Sequence, residues 1–465
     1  MLKYYCLYIF TFISIPLFAQ KEAANWVMAS NFWLDFNINP TTQKNSTFSQ
    51  VLTETSPMSD SLGNLLFVTG ALNKTQDAII NKNGDTISTI FVSSQILQNK
   101  LAIPYPKNIK KYFVFSAVYN TNVTPNKFGC YYAQIDMHLN NGLGGVITGI
   151  TNILFNNDTI ITVAGIKHSD CINYWLILRS LSKFYVYLIN SSGLNLVPQI
   201  SVAASHDYAT SWQTLKVNPQ GNKIAETSSN NQINCYDFNS TTGIISNANS
   251  KNFTGVFNTT LATEFSPDGS KLYFIGRNLT NLAQLYQATI SNGNIDLNNS
   301  TLIYTNINSL DLVALQTGID GKIYISSSNV VGRSSFLSVI SMPNLTGANC
   351  NFTFKTIIAP INSYLGSKLP NFVSSYFKPQ ALLDYTYSVN CQSAQFILND
   401  NSIQSVLWNF GDNQTSILLN PIHTYSNADI YSVTLSVTFT DNTIQTITKQ
   451  ITINPQPQTL KIVHK

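Results

Sequence analysis

The sequence predicts an all-β protein: a β-propeller of seven blades followed by a small β-sandwich. Short runs rich in β-branched and aromatic residues, broken by Asn, Gly, Asp and Ser, recur from end to end, and no window shows a sustained 3.6-residue apolar period. A turn-plus-strand unit repeats, with the glycines at 221, 269 and 321 spaced by 48 and 52 residues. That period is the size of a four-stranded propeller blade, which cannot bury both faces without neighbours. After Phe377 the repeat stops and a different strand pattern begins.

Taken in chain order, the first element is a leader. Lys3 is followed by an apolar run from Tyr4 to Phe18, then Ala19-Gln20 and the polar Lys21-Glu22. This three-part layout reads as a secretory signal peptide, residues 1–19, cut after Ala19. The run is shorter than the ~20 residues a spanning helix needs, so no membrane span is expected in the mature protein. Cys6 lies well before the cut, which gives no support to a lipid anchor at the new N-terminus.

The propeller is assigned to residues 20–377 on six visible copies of the repeat. They begin at Gly63-Asn64-Leu65, Lys111-Tyr112-Phe113, Asn173-Tyr174-Trp175, Gly221-Asn222-Lys223, Gly269-Ser270-Lys271 and Gly321-Lys322-Ile323. A seventh is expected from Leu369-Pro370-Asn371-Phe372 together with Asn31-Phe32-Trp33-Leu34-Asp35-Phe36, closing the ring by strand exchange between the chain ends and leaving no long open edge. Within the motif Phe265-Ser266-Pro267-Asp268-Gly269, Pro presets the first corner and Gly takes a positive φ, so a hairpin turn is expected there. A calcium-loop role for Asp268 lacks the alternating acidic ligands.

Lys378-Pro379-Gln380 reads as a linker, residues 381–454 as an independent sandwich, and 455–465 as a tail. The clearest strand places Tyr431, Val433, Leu435, Val437 and Phe439 inward and Ser432, Thr434, Ser436 and Thr438 outward, a strict period of two.

Trp408-Asn409-Phe410-Gly411-Asp412-Asn413, with Asn420-Pro421-Ile422-His423-Thr424-Tyr425 and Tyr431-Ser432-Val433, resembles the PKD domain, an immunoglobulin-like sandwich common in surface proteins. Asn413 stands where the family usually has Gly, a change a left-handed turn position tolerates. Residues 21–377 resemble the propeller-like N-terminal region of large secreted proteins of gliding bacteria that carry PKD domains and use type IX secretion. The matching pieces include Asn25-Trp26, Leu34-Asp35-Phe36, Ile166-Lys167-His168, Asn349-Cys350-Asn351 and Leu369-Pro370-Asn371-Phe372. The resemblance implies an exported, non-catalytic protein and carries no active site across.

Composition narrows the function classes. Only 10% of residues are charged and the net charge is +4, so no broad basic face exists for nucleic acid. Cys130, Cys171, Cys235, Cys350 and Cys391 remain after cleavage, with no C-x-x-C pair, and buried free thiols are expected for most of them. Nucleophile-elbow, zinc-helix and phosphate-loop motifs are missing. Lys167-His168-Ser169-Asp170 reads as a solvated turn rather than a triad, and Gly142 to Gly145 as a loop without a following helix. Trp33, Trp175 and Trp212 could stack on sugars, although strand-borne aromatics mostly pack blades together.

The expectation is a secreted or cell-surface binding protein without catalytic residues, metal or cofactor. Its partner would be an extracellular protein or glycan, with the periplasm as alternative address and a purely structural module as another reading. The alternative function is an extracellular hydrolase of polysaccharide or peptide with paired carboxylates in the propeller channel. The chain has three arginines, Arg179, Arg277 and Arg333, each read as following the second strand of a repeat. They are the candidate ligand-binding residues, expected on one rim as forked donors for an anionic partner.

Overall fold

The computed structural model describes residues 20–28, 32–38, 41–45, 48, 52–72, 76–90, 100–120, 127–205, 214–228, 231–306, 311–328, 333–334, 336–359, 365–366, 368–378, 385–398, 403–439 and 444–454. The leader (1–19), most of the linker, the tail, His206 and Trp212 lie outside the described residues. The chain divides between Pro379 and Gln380 into two compact units. Both are built of β-strands with no α-helix among the described residues, and the larger unit adds four short 3-10 turns.

Among the described residues the Gln20–Pro379 unit holds seven antiparallel sheets of three or more strands in chain order, each entered by its first strand, and one two-stranded ladder, Arg333–Ser334 with Leu365–Gly366. Those first strands are Asn25–Met28, Thr53–Ser59, Lys100–Tyr105, Ile160–Lys167, Leu215–Val217, Phe257–Phe265 and Asp311–Thr317. Each sheet is a meander, so the arrangement is propeller-like. First strands such as Ile160–Lys167 are apolar nearly throughout and buried on both faces. The outermost strands are polar instead: Ile245–Asn252 faces water after its first residue.

Neighbouring sheets pack face to face. Between sheets four and five, Ile166, Trp175, Ile177 and Val186 meet Leu215, Val217, Ile224 and Tyr236. Each such side chain gains roughly 1.5–3 kcal/mol from complete burial.

The six repeat copies are the second strands of sheets two to seven, including Tyr174–Ser180, Lys223–Ser228, Lys271–Asn278 and Ile323–Ser328. Gly221, Gly269 and Gly321 take φ of 71°, 71° and 77°, the turn geometry their spacing predicts. Asp268 accepts from Ser266 Oγ at 2.7 Å and from the Ser270 amide at 2.9 Å, so its carboxylate ties the turn.

Strand exchange between the chain ends is corrected. The first sheet consists of Asn25–Met28, Phe32–Asp35 and Thr42–Asn45, and residues 369–372 add no strand to it. Pro370 has no amide hydrogen for a ladder, and Asn371 is committed elsewhere, as described below. Sheets one and seven meet through aromatic packing, with Trp26 and Tyr324 centroids 5.3 Å apart and Phe36 against both. No strand pair closes the sheets into a ring among the described residues.

The second unit is a two-sheet sandwich. One sheet contains Thr386–Asn390, Ser393–Ile397 and Ile422–Thr424, and the other Thr415–Ser416, Ile403–Asn409, Ile430–Phe439 and Ile444–Thr452. Val433, Leu435 and Val437 are fully buried, as period two requires. Trp408 anchors the core against Tyr385 and Phe396. A Cβ on Gly411 would stand 2.8 Å from the Ser432 carbonyl oxygen at a φ of +84°, so only glycine fits. Asn413 takes a φ of 69°, as expected of its turn position.

Candidate functional site

The first strands of sheets one to four meet residues 368–377, a strap that belongs to no sheet. Asn371 is its centre. Its amide nitrogen donates to Thr55 O at 2.9 Å, and its carbonyl accepts from Ser56 Oγ at 2.8 Å. The side-chain Nδ2 donates to Lys100 O at 2.9 Å and to Val163 O at 3.1 Å. One residue thereby ties the first strands of sheets two, three and four. Val373 forms an isolated parallel bridge with Gly165, and the Lys167 amide donates to Ser375 Oγ at 3.2 Å. Phe372 packs on Trp26 of sheet one and on Phe377. Val373, Tyr376 and Phe377 are buried with it.

Sheets five to seven face the strap across a narrow cleft lined by Lys216, Glu264, Gln316, Asn371, Phe372 and Phe377, among others. Its interior has room for about one water. Lys216 Nζ bonds Glu264 Oε2 at 2.8 Å and Gln316 Oε1 at 2.6 Å, linking three successive first strands. Glu264 also accepts from the amides of Phe265 and Thr317.

A second charged group sits where the strap begins. Lys368 pairs with Glu54, and Lys100 lies 3.7 Å from Glu54 and 3.3 Å from Asp77. Asp77 is 0% exposed and Lys100 1%. Burial pushes the Asp77 carboxyl up to about 6, against the opposing pull of Lys100 and with help from the Glu54 charge. Burial likewise lowers the Lys368 ammonium, which Glu54 partly restores.

The arginine rim needs correction. Arg179 is 1% exposed and lies within the second strand of sheet four, not after it. Its guanidinium grips Glu226 through Nε at 2.7 Å and through a terminal nitrogen at 3.0 Å, and also donates to the carbonyls of Ser180 and Ala204. Tyr236 and Asn234 complete the carboxylate's shell. This donor fork is committed between sheets four and five and cannot face a partner. Arg277 is half-buried within Lys271–Asn278, and Arg333 pairs with Gly366 in a two-residue ladder, its side chain outside the described set.

His168 and Asp170 form a turn in which the Asp170 carboxylate accepts from Ile172 and Asn173, so they cap the hairpin. Trp175 is buried and donates to Ser240 O at 2.7 Å, while Trp33 is half-buried over Phe48. Cys130, Cys235 and Cys350 are buried thiols, whereas Cys171 and Cys391 are exposed and unpaired. No cluster of three or more His, Cys, Asp or Glu suited to a metal occurs among the described residues.

Sequence reasoning missed the strap, Lys100, Lys216 and their carboxylates. A signal was available: a lysine heading or interrupting an apolar run, as in Lys100-Leu101-Ala102-Ile103 and Leu215-Lys216-Val217, is unusual where charge is so sparse.

The PKD domain family model matches residues 378–454, and this region is a PKD domain. The PKD1 domain of the Vibrio cholerae metalloprotease PrtV is 32% identical over 16% of this chain and 94% of that one, with a TM-score of 0.15. The PKD1 domain of Vibrio anguillarum Epp is 24% identical over 17% and 98%, TM-score 0.15. A putative 6-phosphogluconolactonase from Bacteroides uniformis is 13% identical over 72% of this chain and 97% of that one, TM-score 0.46. The search of curated proteins returned no match.

Two outcomes are expected. Glu226→Ala leaves a buried guanidinium uncompensated and should lower stability by about 3–5 kcal/mol in denaturant unfolding. A loss below 1 kcal/mol would show that Arg179 can turn out to solvent. For Asp77, the folded value near 6 exceeds the ordinary 3.8, so the folded state holds the proton more tightly. Its stabilising contribution is complete below about pH 3.8 and is lost as pH rises through 6. Unfolding midpoints of the wild type relative to Asp77→Asn should therefore fall between pH 4 and pH 7, and a constant difference would contradict the assignment.

Proposed function

We propose that this chain is a secreted or cell-surface binding protein without catalytic activity. The propeller-like unit serves as interaction platform and the PKD domain as spacer or accessory binder. The observation that carries this reading is the filled centre of the larger unit among its described residues. The strap occupies one side, the Lys216, Glu264 and Gln316 chain lines the other, and about one water fits between. Substrate-sized pockets run to several hundred Å³.

The hydrolase alternative calls for two carboxylates flanking a bond to be cleaved. Glu54 and Asp77 both lie within ion-pair distance of the buried Lys100 ammonium, which engages the two carboxylates. Outer surfaces fit binding better. On the PKD domain, Ile417, Leu418 and Ile422 are 78%, 65% and 69% exposed, an apolar run at one edge of the sandwich. On the larger unit Ile200 and Val202 are exposed on the edge strand Gln199–Val202, with Val197 exposed just before it.

Export is supported by the leader-like residues 1–19 and by the PKD domain, a type found typically in extracellular proteins. No helix among the described residues is long and apolar enough to cross a membrane. The likeness to type IX secreted proteins of gliding bacteria is part of the same proposal.

Glycan-array binding and crosslinking to surface proteins should each be read for the wild type and for Ile417→Asp with Leu418→Asp. A partner retained by the former and lost by the latter assigns the accessory role to the PKD edge. Product release from polysaccharide or peptide libraries would overturn the non-catalytic reading. N-terminal sequencing of exported protein should start at Gln20, and a start at Met1 would exclude the leader.

A further inference from the structure

We propose that the channel face of sheets one to four is a binding site for a peptide that carries Lys and, three residues later, Asn-Phe and then turns into a short 3-10 helix, and that residues 368–377, with Ser374–Phe377 as that helix, occupy it as an exchangeable resident ligand. This goes beyond the outer-surface reading above and does not depend on it. The strap is recognised as a ligand would be, by its side chains and at single backbone positions. Its one ladder contact is the bridge from Val373 to Gly165. Specificity resides in three places. Glu54 receives the Lys368 ammonium. The Lys100 and Val163 carbonyls receive both protons of one amide, which selects Asn over any residue lacking two donors on a single nitrogen at that reach. Trp26 of sheet one receives the Phe372 ring, against which the strap's own Phe377 also packs.

The receiving surface is shaped for this approach. Ser56 Oγ, which donates to Asn371 O, itself accepts the Ala102 amide at 3.0 Å, so the hydroxyl is oriented by the strand beside it. A Cβ on Gly165 would stand 2.8 Å from Leu101 Cδ2 and 3.6 Å from Val373 Cγ2, so the missing side chain leaves the surface low where the strap crosses. The cleft beyond Phe372 admits about one water, which limits the site to one peptide at a time. Peptide recognition commonly combines such main-chain hydrogen bonds with a few side-chain pockets.

Occupation in cis competes at an effective concentration that a free peptide at micromolar level cannot match, so the wild type should bind little added peptide. The test uses the full chain and a fluorescent peptide of residues 368–377. In Asn371→Ala the resident strap loses both side-chain amide bonds, and the labelled wild-type peptide should bind at least about tenfold more tightly than it does to unaltered protein. The same peptide with Ala in place of Asn should bind the variant about tenfold less well than the Asn peptide. Equal binding of the two peptides, or no binding by a folded variant, overturns the proposal. Should Asn371→Ala fail to fold, Lys368→Ala weakens the strap at its charged end and takes the same measurement with the Asn and Ala peptides. If both variants unfold, the strap is an obligatory structural element and the proposal fails.

Discussion

The innermost strands of a propeller-like stack have carbonyls and amides that face an axis where no further strand can pair, and buried polar groups left unpaired are costly. Asn371 meets this constraint for sheets two, three and four at once. Its side chain offers two donors on one nitrogen, and its backbone offers one donor and one acceptor. No apolar residue could do this, and no second sheet strand could reach three first strands together. The aromatic residues on either side then remove the axis from water, which strengthens the hydrogen bonds they enclose.

Sparse charge acquires meaning in the same frame. A chain with 10% charged residues places several of them inside, each joining neighbouring sheets. Arg179 reaches Glu226 from sheet four to five, Lys216 reaches Glu264 from five to six, and Lys100 reaches Glu54 and Asp77 from three to two. Buried pairs of this kind add little net stability over apolar packing, because desolvation offsets the attraction. They do penalise a misplaced neighbour heavily, since a lone buried charge has no compensation. In a repeat of similar sheets, where apolar faces could pack in several orders, that penalty discriminates among them.

What could be read from the sequence follows the range of the interactions involved. Gly221, Gly269 and Gly321 were legible because a positive φ is a local demand, stated within a few residues by Pro219-Gln220-Gly221, Pro267-Asp268-Gly269 and Asp320-Gly321. Val433, Leu435 and Val437 were legible because strand alternation is local too. Arg179 was misread as a loop residue because the strand continues past Leu178, pairing Arg179 with Thr162 and Phe184. Its direction depends on Glu226, 47 residues away. Asn371 was read as part of a closing strand, yet its partners lie 208 and 271 residues earlier. No local pattern encodes such a meeting.

Apolar side chains stand in water on both units. In the larger unit most apolar content is turned toward neighbouring sheets and the axis, and outer strands such as Ile245–Asn252 are polar after their first residue, yet Val197, Ile200 and Val202 stand exposed at or just before the outer strand Gln199–Val202. The PKD sandwich has a compact core around Trp408 and still leaves Ile417, Leu418 and Ile422 in water. Core packing does not require those three, since Phe396, Trp408 and Leu435 already fill the space between the sheets. Apolar side chains retained outside a satisfied core have a cost in solubility without a return in folding.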